Sequence, residues 1–169
     1  WYAQTRKDTV TLTANFDANG ATLSDSSPKS CTLGEAYNGG SQINNCTVTT
    51  PTITRDTFDI KGWNTDKDAE ESLSAYNSAT GRITLTKAGD TTTFTFYAIT
   101  TKGIIGAFYY YSSDGIKNLT GNLNDPNDKL HCVIKGKNKE CQIPVPTAIT
   151  TTTSKYGGAY VGYGKVNNM

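Results

Sequence analysis

The chain has little of what builds helices, little charge and no long apolar run. Among 169 residues there is one Met and one His, and Leu and Ala are sparse, which argues against a helical bundle. Hydrophobic residues are 36% and charged residues 18%, so neither one large core nor a charge-driven disordered tail fits. Nothing approaches the twenty apolar residues of a membrane-spanning helix, and no heptad pattern supports a coiled coil. A net charge of +1 and a pI near 7.8 exclude a basic nucleic-acid binder. Thr (28), Gly (16), Asn (14), Ser (11) and Tyr (10) are abundant instead. Thr and Tyr favour pleated, half-buried strands, while Asn and Gly favour turns. With no leader, initiator Met or anchor in view, and Trp1 in what reads as mid-strand, the chain reads as a piece of a longer protein.

The four cysteines are Cys31, Cys46, Cys132 and Cys141. No CxxC pair is present, and His131 beside Cys132 is a poor start for a zinc site. An even number and wide spacing fit two local disulfides. Cys31–Cys46 with Cys132–Cys141 is the most local of three connectivities, four unrelated thiols being the alternative. Such bridges place the chain outside the reducing cytosol and staple an existing fold rather than replace a core.

An internal similarity runs at an offset of 95. Trp1-Tyr2-Ala3 recurs as Phe96-Tyr97-Ala98, Phe16-Asp17-Ala18-Asn19-Gly20 as Tyr111-Ser112-Ser113-Asp114-Gly115, Cys46 as Cys141, and Pro51-Thr52 as Pro146-Thr147. Beyond an insertion at Thr150–Ser154, Gly62-Trp63 has its counterpart in Gly162-Tyr163. The organisation read from this is a closing strand of a preceding repeat (1–5), a complete unit (6–101) and a divergent, truncated unit (102–169). In the complete unit Val10, Leu12, Ala14 and Phe16 alternate with polar residues, the period of a strand with one buried face. Asn19-Gly20 supplies turn chemistry with access to positive φ. Extended segments follow at Cys46–Thr50, at Phe58, Ile60 and Gly62-Trp63, at Ile83 and Leu85, and at Phe94, Phe96 and Ala98. Residues 67–77 are the one good helix candidate, with Asp66 as cap and Leu73 and Tyr76 on one face.

The series Phe16-Asp17-Ala18-Asn19-Gly20, Pro51-Thr52-Ile53-Thr54-Arg55, Phe58, Gly62-Trp63, Asp66 and Phe96-Tyr97-Ala98 resembles the Listeria–Bacteroides repeat, or internalin-B type B repeat, of bacterial surface proteins. The likeness covers residues 10–100 well and 107–166 loosely. It departs at Asn19-Gly20-Ala21, where the family commonly has a second Gly, and in the Cys-bearing expanded loop. The second unit has neither the Trp nor the Arg. The resemblance implies a mainly β (α+β) fold: tandem small β-grasp-like units, each a few strands with at most one short helix. It also implies a secreted or wall-attached bacterial setting, with Phe58, Trp63 and Tyr97 in one small core per unit.

Candidate chemistry is thin. Asn64, Asp66, Asp68 and Glu70 share the spacing of a calcium loop, but Ala69 and Ala75 stand where that loop needs Gly and Glu. An acidic helix start on a solvated face is the better account, and Asn124–Asp128 reads as a loop. His131, in a loop beside a disulfide, has no nucleophile in a recognisable elbow, so no catalytic residue is assigned. No cofactor or metal is called for either. Tyr109-Tyr110-Tyr111 gives the second unit an aromatic load. Alternation there favours Tyr109 and Tyr111 as core and Tyr110 as the outward residue, which makes Tyr110 the candidate binding residue. The expected function is a non-catalytic stalk or spacer segment of a bacterial cell-surface or secreted protein, with a role in adhesion. The alternative is a carbohydrate- or protein-binding module using the Tyr-rich second unit. Expected partners are neighbouring repeats and a host glycan or matrix protein, with no nucleic acid and no membrane insertion. Strand exchange between chains is a further expectation, residues 1–5 of one completing the second unit of another.

Overall fold

Thr11–Asp17 shows how the polar sequence makes its core. Leu12, Ala14 and Phe16 turn inward, while the residues between them stay half-buried. The computed structural model describes residues 9–34, 43–112 and 115–144, with the backbone alone for 110–112 and 115–118. Packing divides the chain into two units, Trp1–Lys102 with Lys135–Lys139, and Gly103–Ile134 with Glu140–Met169.

The strands of the first unit are β1 (Thr11–Asp17), β2 (Thr22–Leu23), β3 (Lys29–Thr32), β4 (Asn45–Thr49), β5 (Ile53–Thr54), β6 (Asp59–Asn64), β7 (Tyr76–Asn77), β8 (Arg82–Thr86) and β9 (Thr93–Ile105), the last three residues of β9 belonging to the second unit. β9 carries most of the pairing. β1 lies parallel to it from Thr13 opposite Thr93 to Asp17 opposite Tyr97, and β6 lies antiparallel to it with Trp63 opposite Ala98. β3 pairs antiparallel with β1, while β4, β8 and β7 form a second sheet in that order. β2 and β5 form a short antiparallel pair.

Side chains from the sheets meet in one core: Leu12, Ala14, Phe16, Trp63, Phe96 and Ala98 from the β9 sheet, and Val48, Ile83 and Leu85 from β4 and β8. Phe16 meets the Trp63 ring edge-on at 4.7 Å and stacks on Phe96 at 5.9 Å, both favourable aromatic geometries. The Cys31–Cys46 disulfide ties β3 to β4, and so one sheet to the other, with Cα atoms 6.0 Å apart. Asn19 and Gly20 both take positive φ (46° and 89°) in the turn after β1.

The helix expected at 67–77 does not form; the described residues contain no helix and the fold there is β and turn. Short polar side chains bond the local backbone instead. Asn64 Oδ1 accepts the Asp66 amide at 3.0 Å, and Asp66 Oδ1 accepts the Asp68 amide at 2.9 Å. Beyond them the Leu73 amide donates to the Trp63 carbonyl and the Thr84 amide to the Ala75 carbonyl. These non-helical bonds outcompete a segment too short to form a helix unaided. Two residues expected in the core, Phe58 and Tyr97, stand outside it, Tyr97 half-buried. Ile60 is exposed, because β6 bulges between Ile60 and Gly62 and the register shifts there. Phe58 is half-buried outside the core, under Arg55.

In the second unit β10 (Ala107–Ser112) and β11 (Gly115–Thr120) make an antiparallel hairpin with Ala107 opposite Thr120. β12 (His131–Lys135) follows, its last residue belonging to the first unit, and Cys132 is bonded to Cys141. The offset of 95 carries β1 onto β10, but the strands then pair differently. β1 takes its antiparallel partner from β3, with Thr11 opposite Thr32, whereas β10 returns at once into β11. The orphan strand at 1–5, the Thr150–Ser154 insertion and Gly162-Tyr163 lie outside the described residues.

Candidate functional site

The best-organised polar cluster gathers on the turn after β1. The Asp17 carboxylate accepts the Asn19 amide at 2.7 Å and closes an Asx turn. That places Asn19, 3% exposed, where its Nδ2 donates to the Lys67 carbonyl at 2.7 Å and the Ala98 carbonyl at 3.1 Å. A buried amide with both donors engaged fixes the turn against β9 and the 67–68 loop. Gly20 is required by a neighbour as well as by its φ: a Cβ there would sit 2.9 Å from the Gly136 carbonyl oxygen.

Gly136 belongs to the segment Lys135–Lys139, which packs in the first unit. Arg55, just after β5, holds it. Nη1 donates to the Gly136 carbonyl at 2.5 Å and to Thr100 Oγ1 at 2.9 Å, and Nη2 donates to the Asn138 carbonyl at 3.2 Å. The guanidinium lies 3.6 Å from the centroid of the Phe58 ring, a cation–π contact, and Lys102 Nζ is 5.8 Å from the same ring. Burial lowers the Arg55 pKa from its ordinary value, yet guanidinium stays charged in proteins. Lys135 pairs with Glu70 at 2.8 Å and Lys137 reaches Asp17 at 4.0 Å. Chemically the cluster is a clamp on main-chain carbonyls: planar donors on one side, a bent peptide segment on the other.

The other candidates are placed as follows. Glu70 faces Lys135, and Lys67 bonds Asp68, which raises the Lys67 pKa. No group of three or more His, Cys, Asp or Glu among the described residues is placed to hold a metal ion. Asn122, Asp125 and Asp128 turn their side chains onto amides two residues on, at Asn124, Asn127 and Leu130. The Leu130 amide, and less so that of Asn122, holds the Asp128 carboxyl below its ordinary pKa. His131 lies in β12 rather than in a loop, and its Nδ1 is buried without a hydrogen-bond partner among the described residues.

Tyr110 lies in β10 opposite Lys117; its side chain is outside the described residues. Tyr109, expected inward, is 67% exposed and opposite Asn118. Phe108, one position earlier, is the half-buried residue, so the expectation of an inward Tyr109 is overturned. A run of three identical aromatics carries no parity of its own, so the sequence did not fix the face of Tyr109. Tyr111 is described by backbone only, and Tyr156, Tyr160 and Tyr163 lie outside the described residues.

No family model, curated protein or solved structure matches this chain.

Proposed function

We propose that the chain is a non-catalytic segment of a bacterial cell-surface or secreted protein, a repeat that acts as a stalk or spacer. The observation that carries this reading is where the residues behind the resemblance go. Phe16, Trp63, Phe96 and Ala98 build the core, Asp17 and Asn19 close and anchor the turn, Gly62 sits at the β6 bulge, and Arg55 clamps Lys135–Lys139. These members of the pattern have a part in holding the unit, as expected of a chain whose task is a durable shape. The β-grasp-like repeat is retained in this proposal, with turns where its helix would run. Two disulfides fit an oxidising, extracellular setting. Among the described residues no helix is long and apolar enough to cross a membrane.

A second reading rests on one observation. The second unit exposes Tyr109 (67%), Leu123 (45%) and Ile105 (42%), side chains suited to sugar rings or to a protein surface. Host glycans and matrix proteins are the partners to test, on a glycan array and a matrix-protein panel with the non-reduced protein. Tyr109→Ala and Tyr110→Ala run alongside. Silence with folded protein supports the spacer; saturable binding that either variant loses replaces it with a binding module.

A further inference from the structure

We infer that the first unit is a force-bearing element, its β1–β9 ladder a shear clamp against tension along the chain. The inference rests on the stalk reading and adds to it a mechanical function. Its basis is register. β1 is the first described strand of the unit and β9 the strand from which the chain passes into the second unit at Lys102, Lys135–Lys139 alone returning to the first. They are adjacent and parallel, from Thr13 opposite Thr93 to Asp17 opposite Tyr97. Because they run in the same direction, the entry to β1 and the exit from β9 lie at opposite ends of the ladder. Tension between Thr9 and Lys102 draws β1 toward its N-terminal end and β9 toward its C-terminal end, along the strand axis, once Lys135–Lys139 is drawn off. The inter-strand hydrogen bonds are loaded side by side and must fail together. An antiparallel hairpin pulled at its open end, by contrast, presents one bond at a time.

The flanks of the ladder add to the clamp. β6 holds the exit half of β9, from Asn64 opposite Tyr97 to Asp59 opposite Thr101. β3 holds β1 on its other edge, from Ala14 opposite Lys29 to Thr11 opposite Thr32. β3 is in turn covalently joined to β4 through Cys31–Cys46, so β1 cannot carry β3 away from the second sheet while that bond is intact. Phe16 and Phe96, at one level of the ladder, stack across it, and sliding the strands would break that contact as well. The Thr13 amide donates to the Thr92 carbonyl at 2.8 Å, closing the entry end.

Single-molecule pulling of the full chain tests this with two attachment geometries. Click-reactive unnatural residues at Thr9 and Lys102 load the ladder in shear. The same residues at Thr9 and Asp90, both at the entry end, peel it. Thr9 and Asp90 are exposed and Lys102 is half-buried, so equal thermal unfolding of the two labelled proteins checks that both are folded. The expected result is a severalfold higher rupture force for Thr9/Lys102 at the same loading rate, forced unfolding being governed by the unfolding rate along the pulled direction. Equal forces, or a lower force in shear, overturn the inference. Neither outcome moves the glycan and matrix panels, so failure of the clamp and failure of the spacer reading remain separate results.

Discussion

Removing the Cys31–Cys46 bridge by Cys31→Ala with Cys46→Ala should lower stability and lengthen the unfolding step in amounts set by the same loop. The bonded residues are 15 apart in sequence. In the chain-entropy treatment, releasing a loop of that size from the unfolded chain lowers folding stability by about 3 kcal/mol at 25 °C. For a small unit whose whole margin is on the order of 5–10 kcal/mol, that is a large share. Urea titration of the non-reduced variant, with Cys132–Cys141 left intact, should show its first-unit transition shifted down by roughly 1–2 M. In the pulling experiment the opened loop adds extended chain at about 3.4 Å per residue, roughly 50 Å. Subtracting the 6.0 Å already spanned by the bridged Cα atoms leaves a step longer by about 45 Å. A step that does not lengthen would mean that the loop opens before the clamp fails. A stability loss under about 1 kcal/mol would mean that the denatured chain already holds these residues together. Either result refutes the account of the bridge as a lock between the two sheets.

Two substitutions test the polar cluster and the bulge. Arg55→Lys keeps the charge but cannot span the Gly136 and Asn138 carbonyls with one planar fork, and leaves Thr100 Oγ1, in a fully buried residue, without its donor; a loss of about 2 kcal/mol is expected in urea unfolding, and Arg55→Met should lose more. Amide hydrogen exchange at Gly136 and Asn138 should rise in both variants, and unchanged exchange there would show that Arg55 does not hold the segment. Gly62→Ala puts a Cβ into the Tyr76 ring at a backbone φ of +121°, so strain and overpacking together should cost roughly 3–5 kcal/mol, read as a fall in thermal midpoint.

How much of this was legible in the sequence depends on where each residue's partner lies. β1 could be read from its own residues, because a strand with one buried face writes its burial as alternation, and Leu12, Ala14 and Phe16 are the buried set. The turn at Asn19-Gly20 could be read because positive φ selects those residues locally. The disulfides could be paired because local closure is the simplest use of two spaced Cys pairs. Segment 67–77 misled for the opposite reason. Its capping Asp and helical spacing are real, but Asn64 and Asp66 use the same chemistry to close turns, and Leu73 is drawn to the Trp63 carbonyl of β6.

Arg55 marks the sharper limit. Its place in the Pro-Thr-x-x-Arg series drew notice, but its task could not be read, because its acceptors at Gly136 and Asn138 are main-chain carbonyls 81 and 83 residues away. A carbonyl is the same at every position, so no partner residue type betrays the contact. Ionic partners such as Glu70 for Lys135 do leave a residue type behind, but surface charges are too common for one pair to stand out. The parallel β1–β9 ladder is hidden in the same way. Both strands show their buried faces in sequence, yet nothing in either says that they are neighbours, or that they run the same way. That direction is what separates a clamp from a zipper, since the same residues paired antiparallel would leave the same core and yield bond by bond under load. The mechanical function argued for this chain therefore rests on the one property of the strand pair that only the fold supplies.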